Sequence, residues 1–429
     1  MSKIAKIIAR QILDSRGNPT VEVELYTEKG VISRASVPSG ASTGSREALE
    51  LRDGDKSYYL GKSVKKAITN INEILAPEIT GMEVSGLRDI DEKMISLDGT
   101  EFKSKVGANA MLAISMAVCR AGALEAKKPL YVYLKENLSC PNACGYLRHP
   151  APLMNIINGG AHASNNLDIQ EFMIVPHLKA SFSENLRAGV EVFHHLKKVL
   201  SNKGYSTNVG DEGGFAPDIV KNEEAIALIT KSIKRAGFKP GIDVSICLDI
   251  ASNELYKNGK YSVQSSNFDD PKKTIDYYLD LIDKYPIKSI EDPFAESDWL
   301  AWNKIIRSIK KVQIVGDDLL VTSINKIKTS IAKDSSNTVL IKPNQVGTIS
   351  ETLNTINFAH KNNLNTIISH RSGDTEDSFI ADLAIGTQST QLKSGAPARS
   401  ERTAKYNRIS EIISQNKNIN YLGLRAMKI

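Results

Sequence analysis

The sequence predicts a two-domain α/β protein in which a smaller α+β domain precedes a barrel of alternating strands and helices. The chain has 429 residues, which exceeds the usual length of one domain and leaves room for a barrel of roughly 250 residues. In its second half, short apolar runs that end in polar residues recur about every 25 residues, as in a parallel α/β barrel. The first part has a different pattern, because strand-like segments are followed there by helical ones.

The N-terminal part begins with a predicted β-hairpin over residues 20–37. The run TVEVEL alternates in polarity, residues 29–30 are a Lys-Gly turn, and VISRASV provides the second strand. Farther along, residues 107–126 are dense in Ala, Leu and Met, which favours a buried helix. These segments predict an α+β domain over residues 1–140.

The predicted domain boundary lies in residues 137–150. This stretch contains two prolines and one glycine and has no clear period, which is typical of a connection between domains. The second predicted domain therefore spans residues 141–429.

Five apolar runs in the second domain predict barrel strands. They are VSICLD to Asp249, SIED to Asp292, QIVGDD to Asp318, TVLIKPN to Asn344 and TIISHRS to Ser372.

Composition and charge argue against several classes of function. Lys and Arg number 55 against 49 Asp and Glu, a formal net charge of +6, but no long basic run interleaved with aromatics is present, so nucleic-acid binding is not expected. No apolar run approaches the ~20 residues of a membrane-spanning helix. The N-terminal apolar pattern is broken at Arg10, Gln11 and Asp14, before a signal-peptide core could form. We therefore expect a cytoplasmic protein without membrane insertion.

The four cysteines do not form a recognisable metal site. Only Cys140 and Cys144, in CPNAC, are close enough to provide half of one, and no second pair completes it. Cys119 lies in a helix-like run and Cys247 in a strand-like run. We interpret both as buried free thiols.

Three acidic residues stand where catalytic side chains of barrels lie, at the C-terminal ends of strands. Asp249, Glu291 and Asp317 occupy such positions on three successive predicted strands. Three carboxylates in one mouth repel each other unless a hard cation neutralises them, and an all-oxygen donor set favours Mg²⁺ over zinc. The alternative is that they are helix N-caps or solvated strand ends.

Two lysines follow other predicted strands, Lys342 in VLIKPN and Lys393 in TQLKSG. Metal ions facing such a lysine should lower its pKa, so that it can act as a base. Pro343 restricts Lys342 to extended backbone, which agrees with a place on the strand. The alternative for each lysine is a salt bridge to one of the carboxylates.

Three glycine-containing segments predict loops that could close over a ligand: residues 36–47, 157–172 and 208–218. The first lacks the G-K-[ST] ending of a nucleotide-binding P-loop, so we do not expect ATP there. Taken singly, each is also compatible with an ordinary surface turn. Their polar side chains include Ser39, Ser42, Thr43, His162, Gln170, Glu171, Asp211 and Glu212.

Taken together, these motifs resemble the enolase family over nearly the whole chain. DSRGNPTVEVEL, SGASTG, NGGAHASNN, GDEGGFAP, SIEDPF, GDDL, KPNQVGT, SHRSGDTEDSFIADLA and GAPARSERTAKYNR occur in order. The resemblance implies an N-terminal α+β domain and an eight-stranded TIM-type barrel that starts ββαα. It also implies a glycolytic and gluconeogenic lyase that reversibly dehydrates 2-phosphoglycerate to phosphoenolpyruvate, by proton removal at C2 and loss of the C3 hydroxyl.

The resemblance implies two Mg²⁺ ions in each active site, the second recruited with substrate. By motif, Asp249, Glu291 and Asp317 resemble the ligands of the first ion, and Ser42 resembles the loop residue that completes the second site.

The remaining roles are also carried over by motif. Lys342 resembles the base that takes the C2 proton, and Glu212, supported by Glu171, resembles the acid that protonates the departing hydroxyl. The residues that resemble substrate contacts are Lys393 at the carboxylate, Arg371 and Ser372 at the phosphate, and His162, Gln170 and His370 in the pocket.

The family also implies a small phosphorylated carboxylate as substrate and at least a homodimer, in the cytoplasm. A secondary presence on the cell surface, as in bacterial relatives, cannot be read from these residues. Two positions depart from the family pattern: Asp374 stands where Glu is usual, and Asn253 where Ser is usual. Both are expected to affect the supporting residues and the rate more than the reaction type.

Two other readings compete with this one. The first is another enediolate-forming barrel of the same superfamily, such as a racemase or cycloisomerase. The SGAST loop and the GDEGG acid argue against it, because they serve a phosphate-bearing substrate and hydroxide departure. The second is a barrel kept as a binding or structural protein after loss of catalysis, which the retained charged positions argue against.

Overall fold

The computed structural model describes residues 2–40, 44, 46–138, 147–263, 266–268, 270–416 and 419–427. An α+β region comes first and a closed barrel of eight strands follows, so the predicted fold class is confirmed. The domain boundary predicted at residue 140 lies among residues 139–146, outside the described residues, and stays a prediction. Among the residues that the structure describes, no helix combines the length and the apolar composition that a membrane span requires.

A three-stranded antiparallel sheet forms the first layer of the N-terminal region. The second and third strands pair as the predicted hairpin, with Glu24 opposite Arg34. The first strand was not predicted from the alternation pattern, although it pairs with the second along its length. The strands are β1 (Ile4–Leu13), β2 (Pro19–Thr27) and β3 (Ile32–Ser36).

Helices cover this sheet, and the longest is the helix predicted at residues 107–126. It packs against β2 and β3, and nearly all of its residues are buried, which explains why small and apolar residues occupy every face. Residues Ile71–Leu75 form a π-helical turn between the first two helices. The helices are α1 (Lys65–Asn70), α2 (Ala76–Ile79), α3 (Leu87–Asp98), α4 (Ala108–Glu125) and α5 (Leu130–Tyr133).

The second region contains the barrel strands and two small accessory sheets. Its strands are β4 (Arg148–His149), β5 (Ala151–Asn158), β6 (Glu171–Pro176), β7 (Val244–Asp249), β8 (Tyr256–Lys257), β9 (Lys260–Val263), β10 (Ser266–Phe268), β11 (Ile287–Glu291), β12 (Gln313–Gly316), β13 (Thr338–Ile341), β14 (Asn365–Ser369), β15 (Gln391–Lys393) and β16 (Asn420–Tyr421).

Helices follow the barrel strands and cover the outside of the barrel. They are α6 (Phe182–Asn202), α7 (Asn222–Arg235), α8 (Pro271–Lys284), α9 (Trp299–Ser308), α10 (Ile324–Lys333), α11 (Ile349–Lys361), α12 (Phe379–Gly386) and α13 (Ser400–Gln415).

The ring of the barrel closes in the order β5, β6, β7, β11, β12, β13, β14, β15 and back to β5. Strand β6 runs antiparallel to both neighbours, while the other neighbouring pairs are parallel. Because β5 and β6 come before α6 and α7, the barrel starts ββαα, as the family resemblance implied. Insertion of β8, β9 and β10 explains why the first interval between predicted strand ends is longer than the others.

The inside of the barrel holds its own apolar cluster, separate from the larger core between sheet and helices. Residues 423–427 form a 3-10 turn at the N-terminal end of the strands. There the carbonyl oxygen of Ala426 accepts hydrogen bonds from the side chains of Asn365 (2.8 Å) and Thr390 (2.6 Å). We call this cluster the barrel floor; it consists of Ala151, Leu153, Met173, Val175, Cys247, Val315, Leu340, Ile367, Ala426 and Met427.

The N-terminal region reaches the opposite end of the barrel, where the strands end. Ser39 and Gly373 exchange backbone hydrogen bonds of 2.6 and 2.9 Å. Arg120 of α4 makes a bidentate ion pair with Asp377, at 2.6 and 2.7 Å. These contacts place residues 36–40 beside the mouth of the barrel.

Candidate active site

A cavity lies at the end of the barrel where the seven parallel strands finish and the antiparallel strand β6 begins. Each described residue of the predicted site lines it except Glu291, which lies just behind the surface. Ser42 lies outside the described residues. The lining residues are His162, Gln170, Glu171, Glu212, Asp249, Ala251, Asp292, Asp317, Asp318, Lys342, Ser369, His370, Arg371, Ser372 and Lys393.

Strand register brings three buried carboxylates to one level of the barrel. Glu171 of β6 lies opposite Asp249 of β7, and Asp249 lies opposite Glu291 of β11. All three side chains are buried. Two of these residues belong to the predicted metal set, while Glu171 was predicted as a support for the acid.

Lys393 lies at the centre of these carboxylates. Its Nζ is 3.0 Å from Glu171, 3.0 Å from Asp249 and 2.8 Å from Glu291. Burial lowers the pKa of Lys393, but attraction to the three carboxylates outweighs burial and raises this pKa well above its ordinary value. The ammonium therefore stays charged. One cation for three acids still leaves this part of the cavity strongly negative.

The pKa of Glu291 is changed by burial and by the neighbouring carboxylates. Burial, followed by repulsion from Asp249, raises the pKa of Glu291 well above its ordinary value even though Lys393 lies alongside. A divalent cation at these oxygens would relieve the repulsion, and oxygen donors of this kind suit Mg²⁺. The carboxylate oxygens of Asp249 and Glu291 therefore fit magnesium.

Lys342 and Asp317 form the other ion pair of the cavity. Lys342 Nζ lies 2.5 Å from Asp317 Oδ2, and both side chains are largely buried. Burial lowers the pKa of Lys342, but the Asp317 carboxylate outweighs burial and raises it. The lowered pKa expected from the sequence depends on bound metal ions and stays a prediction, whereas the protein's own charges raise this pKa. A cation that drew on Asp317 would weaken the attraction that holds this proton.

A second cluster of acids follows directly from the same two strand ends. Oxygens of Asp292, Asp317 and Asp318 lie within 4.8 Å of one another. The Asp292 carboxylate accepts the backbone N–H groups of Asp317 (2.9 Å) and Asp318 (2.8 Å), and so fixes the turn that carries them. Burial and the neighbouring Asp317 raise the pKa of Asp318 to about 7. The sequence analysis gave Asp292 and Asp318 no role, although the doublets ED and DD pointed to them.

Glu171 and Glu212 form a carboxylate pair with His162 between them. His162 Nδ1 lies 3.5 Å from Glu171 Oε1 and 3.6 Å from Glu212 Oε1. Burial and the charge of Glu212 raise the pKa of Glu171 well above its ordinary value. For Glu212, burial acts in the same direction, but His370 and His162 outweigh it and lower the pKa. A proton taken up by this pair therefore goes to Glu171 before Glu212.

His370 is held in one tautomer by a residue that the sequence analysis did not single out. Its Nδ1 accepts a hydrogen bond from Arg402 (2.6 Å), so its proton is on Nε2, which lies 3.4 Å from Glu212 Oε2. Burial lowers the pKa of His370 to about 4. Arg402 also donates to the carbonyl oxygen of Ser372 (2.5 Å). Its only sign in the sequence was the motif GAPARSERTAKYNR.

Arg371 also has a partner that was missed. Its guanidinium donates to Glu47 Oε2 (2.8 Å) and to Asn344 Oδ1 (3.1 Å). Attraction to Glu47 outweighs burial and raises the pKa of Arg371. Gln170 borders the cavity, and its backbone N–H donates to the carbonyl oxygen of Asp249 (3.1 Å).

Asp374 and Asn253, which depart from the family pattern, do not line the cavity, but each contacts residues that do. Asp374 accepts hydrogen bonds from Lys405 Nζ (2.8 Å) and from the backbone of Arg371 (3.2 Å). Asn253 donates to Asp318 Oδ2 (2.8 Å) and accepts the backbone N–H of Glu296. Both residues thus orient groups that face the cavity.

The chain matches two known domain families. Residues 4–134 match the family described as "Enolase, N-terminal domain", and residues 147–428 match "Enolase, C-terminal TIM barrel domain".

Proposed function

The chain belongs to the enolase family, and from this premise we propose that it is a hydro-lyase that interconverts 2-phosphoglycerate and phosphoenolpyruvate. One observation carries the proposal. In the eight-stranded ring, β13 lies directly across from β6, so Lys342 faces the carboxyl pair Glu171 and Glu212 across one cavity. A dehydration that removes a proton from one face and a hydroxyl from the other requires this kind of arrangement.

Removal of the C2 proton adds a negative charge next to a carboxylate that already has one. A single hydrogen-bond donor stabilises such a charge by about 3–4 kcal/mol, so donors alone are insufficient. Magnesium would supply Lewis-acid stabilisation of several kcal/mol. Asp249, Glu291 and Asp317 are the proposed ligands of the first ion, and Ser42 of the second. The acid-rich wall that raises the pKa of Glu291 supports this assignment.

Lys342 takes the C2 proton in the proposed mechanism. Lys342 must first lose its own proton, which a cation drawing on Asp317 would favour. Its Nζ then accepts the C2 proton, and the ammonium that forms is stabilised by Asp317, 2.5 Å away. The strand end holds the lysine in place, because its backbone N–H donates to Thr322 Oγ1 (2.9 Å).

The carboxylate pair supplies the acid. Glu212 delivers a proton to the C3 hydroxyl, which leaves as water, and Glu171 lies beside Glu212 around His162. Asn155 holds Glu212 in place by donating to its Oε2 (3.0 Å). Burial lowers the pKa of His370, and its Nε2 lies 3.4 Å from Oε2 of the same carboxylate.

Two cations mark the ends of the proposed substrate. Lys393, held charged by its three carboxylate neighbours, lies on the carboxylate side. Arg371 and Ser372 lie on the phosphate side, and His162 and Gln170 complete the pocket. Separate binding points for carboxylate and phosphate favour 2-phosphoglycerate over the unphosphorylated acids of related barrels.

Family membership also supports at least a homodimer and a cytoplasmic location. Light scattering on the purified protein would test the assembly, and a monomeric mass at micromolar concentration would contradict it.

The decisive assay measures phosphoenolpyruvate formed from 2-phosphoglycerate by ultraviolet absorbance. We expect turnover with Mg²⁺, loss of turnover with excess chelator, and recovery when Mg²⁺ is restored. Absence of turnover with Mg²⁺ would reject the proposed function. Turnover that survives complete removal of metal would leave the reaction in place and reject the mechanism.

A further inference from the structure

Gln345 lies between the two halves of the site and has no part in the mechanism above. Its side chain is buried. Its amide nitrogen donates to Asp317 Oδ1 (2.9 Å) and to Glu47 Oε1 (3.3 Å). Asp317 is the partner of Lys342, and Glu47 is the partner of Arg371. One amide group thus joins the base side of the cavity to the phosphate side.

Thr322 fixes the orientation of this amide. The Thr322 hydroxyl accepts the backbone N–H of Lys342 (2.9 Å) and donates to Gln345 Oε1 (2.6 Å), with the Lys342 carbonyl oxygen as a more distant acceptor at 3.4 Å. The amide oxygen therefore faces the hydroxyl, and both N–H donors face carboxylates. A flipped amide would present its oxygen to Asp317 and Glu47, which cannot donate when ionised.

The backbone beneath Thr322 is strained, which is an independent sign that its position matters. Val321 and Thr322 have φ values of 41° and 54°. Two consecutive β-branched residues in the left-handed region are strained, because their branched Cβ clashes with the backbone there. The turn is held by the N–H of Val321, which donates to the carbonyl oxygen of Asp317 (2.7 Å), and by Thr355, which donates to the carbonyl oxygen of Thr322 (2.8 Å). Strain of this kind persists where surrounding contacts enforce it.

Glu47 extends the connection to Gly44. Its Oε1 accepts the backbone N–H of Gly44 (3.0 Å), and its Oε2 accepts from Arg371 (2.8 Å). Both side chains of the ion pair are under 10% exposed, at 7% for Glu47 and 3% for Arg371. Any shift of the Glu47 carboxylate therefore changes its hydrogen bonds to Arg371, Gly44 and Gln345 at the same time.

We propose that Gln345 is a positioning residue that aligns Asp317 with the Glu47–Arg371 pair, so that a phosphate group bound at Arg371 helps to fix the Asp317 carboxylate. A phosphate shares the donors of Arg371 and repels Glu47. Because each N–H of the Gln345 amide serves one carboxylate, a change at Glu47 alters the bond left for Asp317. This inference rests on the proposed function for its kinetic effect, but the coupling itself concerns binding.

The first experiment compares two variants with a matched control. Gln345→Leu removes the bridge, and Thr322→Val removes only the hydroxyl that orients it. Thr352→Val is the control: this buried hydroxyl of α11 donates to the carbonyl oxygen of Thr348 (2.7 Å) and does not contact the site. We expect kcat to fall about 10–100-fold in Gln345→Leu, the usual cost of losing a group that orients a metal ligand. Thr322→Val should fall less, with KM changed less than kcat, and the control should keep wild-type kinetics.

The second experiment measures binding without turnover. Isothermal titration gives the Kd of inorganic phosphate with and without Mg²⁺, and the ratio of the two constants measures coupling between the sites. The ratio is the Kd without Mg²⁺ divided by the Kd with Mg²⁺. We expect this ratio to be at least about threefold smaller in Gln345→Leu than in wild type, and unchanged in Thr352→Val.

The outcomes separate this inference from the proposed function. Wild-type kcat and an unchanged ratio in both test variants would overturn the inference. Loss of kcat with an unchanged ratio would also overturn it, since Gln345 would then be merely structural. If wild-type protein does not dehydrate 2-phosphoglycerate but the ratio falls in the variants, the proposed function fails and the positioning role stands. Should Gln345→Leu not fold, the isosteric Thr322→Val decides the question.

Discussion

The two ends of the barrel interior differ in polarity, although neighbouring residues of the same strands line both. At the mouth, Asp249 is buried against Lys393, and Lys342 is buried against Asp317. At the floor, Cys247 and Leu340, two positions earlier on the same strands, belong to an apolar cluster. The mouth holds repelling carboxylates whose burial is unfavourable, whereas burial of the floor is favourable. We infer that stability resides in the floor and chemistry in the mouth.

The largest expected effect is the loss of catalysis on changing the mouth. Lys342→Ala should abolish exchange of the C2 proton with solvent and lower kcat by at least about 10³-fold, since a positioned base contributes about 10²–10⁴. Glu212→Gln should lose dehydration but retain exchange. Deuterium incorporation at C2, followed by NMR, distinguishes the two. Equal loss of exchange in both variants would show that base and acid have not been assigned correctly.

The floor should respond in the opposite way. Ile367 is fully buried in the floor, so Ile367→Ala should lower the free energy of unfolding by about 2–5 kcal/mol. Its kcat should stay within about twofold of wild type at a temperature where the variant is folded. Urea unfolding and initial rates measure the two quantities, with Ile367→Val as the milder control. A loss of kcat without a loss of stability would break the division between the two ends.

A pH effect on stability is expected beside the floor. His149 stacks on Tyr421, which packs against the floor, and burial lowers the pKa of His149 to about 4. Because the unfolded chain binds this proton near pH 6.5 and the folded chain only near 4, stability is complete above about 6.5 and falls as the pH decreases toward 4. The loss reaches about 3 kcal/mol at most.

His149→Phe keeps the ring contact and removes the proton site. Thermal unfolding of wild type and variant between pH 7 and pH 4 should therefore converge or cross as the pH falls. Parallel curves over this range would show that His149 is not the group responsible.

The smallest expected effect lies at the edge of the mouth. Asn253→Ser shortens the side chain that holds Asp318 and the backbone of Glu296. Loss of these hydrogen bonds should lower the free energy of unfolding by about 1 kcal/mol and change kcat only a few-fold. Steady-state kinetics and urea unfolding would measure both effects. A loss of kcat greater than a hundredfold would show that Asn253 acts directly in catalysis and not only as a support.

Much of the fold could be predicted because local patterns carried it. The strand that ends before Lys342 was readable from an apolar run followed by Pro343, and α4 from its density of small and apolar residues. The direction of β6 was not readable from its own residues, because strand direction in a ring depends on its neighbours. It came only from the family resemblance. Strand β1 was missed although it lies alongside β2.

The site was predictable to the extent that single residues follow strands. Most of the predicted side chains line one cavity, but their roles remain predictions. What the sequence could not show is which side chains pair with them. Glu47 and Arg371 are 324 positions apart, and Asp14 reaches Ser39 from another loop. Such pairs follow from tertiary packing and leave no local pattern.

The barrel floor also sets an order in time. Residues 423–427 come after all the barrel strands in the chain, and β15 must reach back to β5 to close the ring. During synthesis, the apolar surface of the early strands therefore stays uncovered until residues 423–427 have left the ribosome. Ring closures between distant parts of a chain are slow and leave apolar surface open to aggregation, so closing the ring is expected to be the slow step in folding of the barrel.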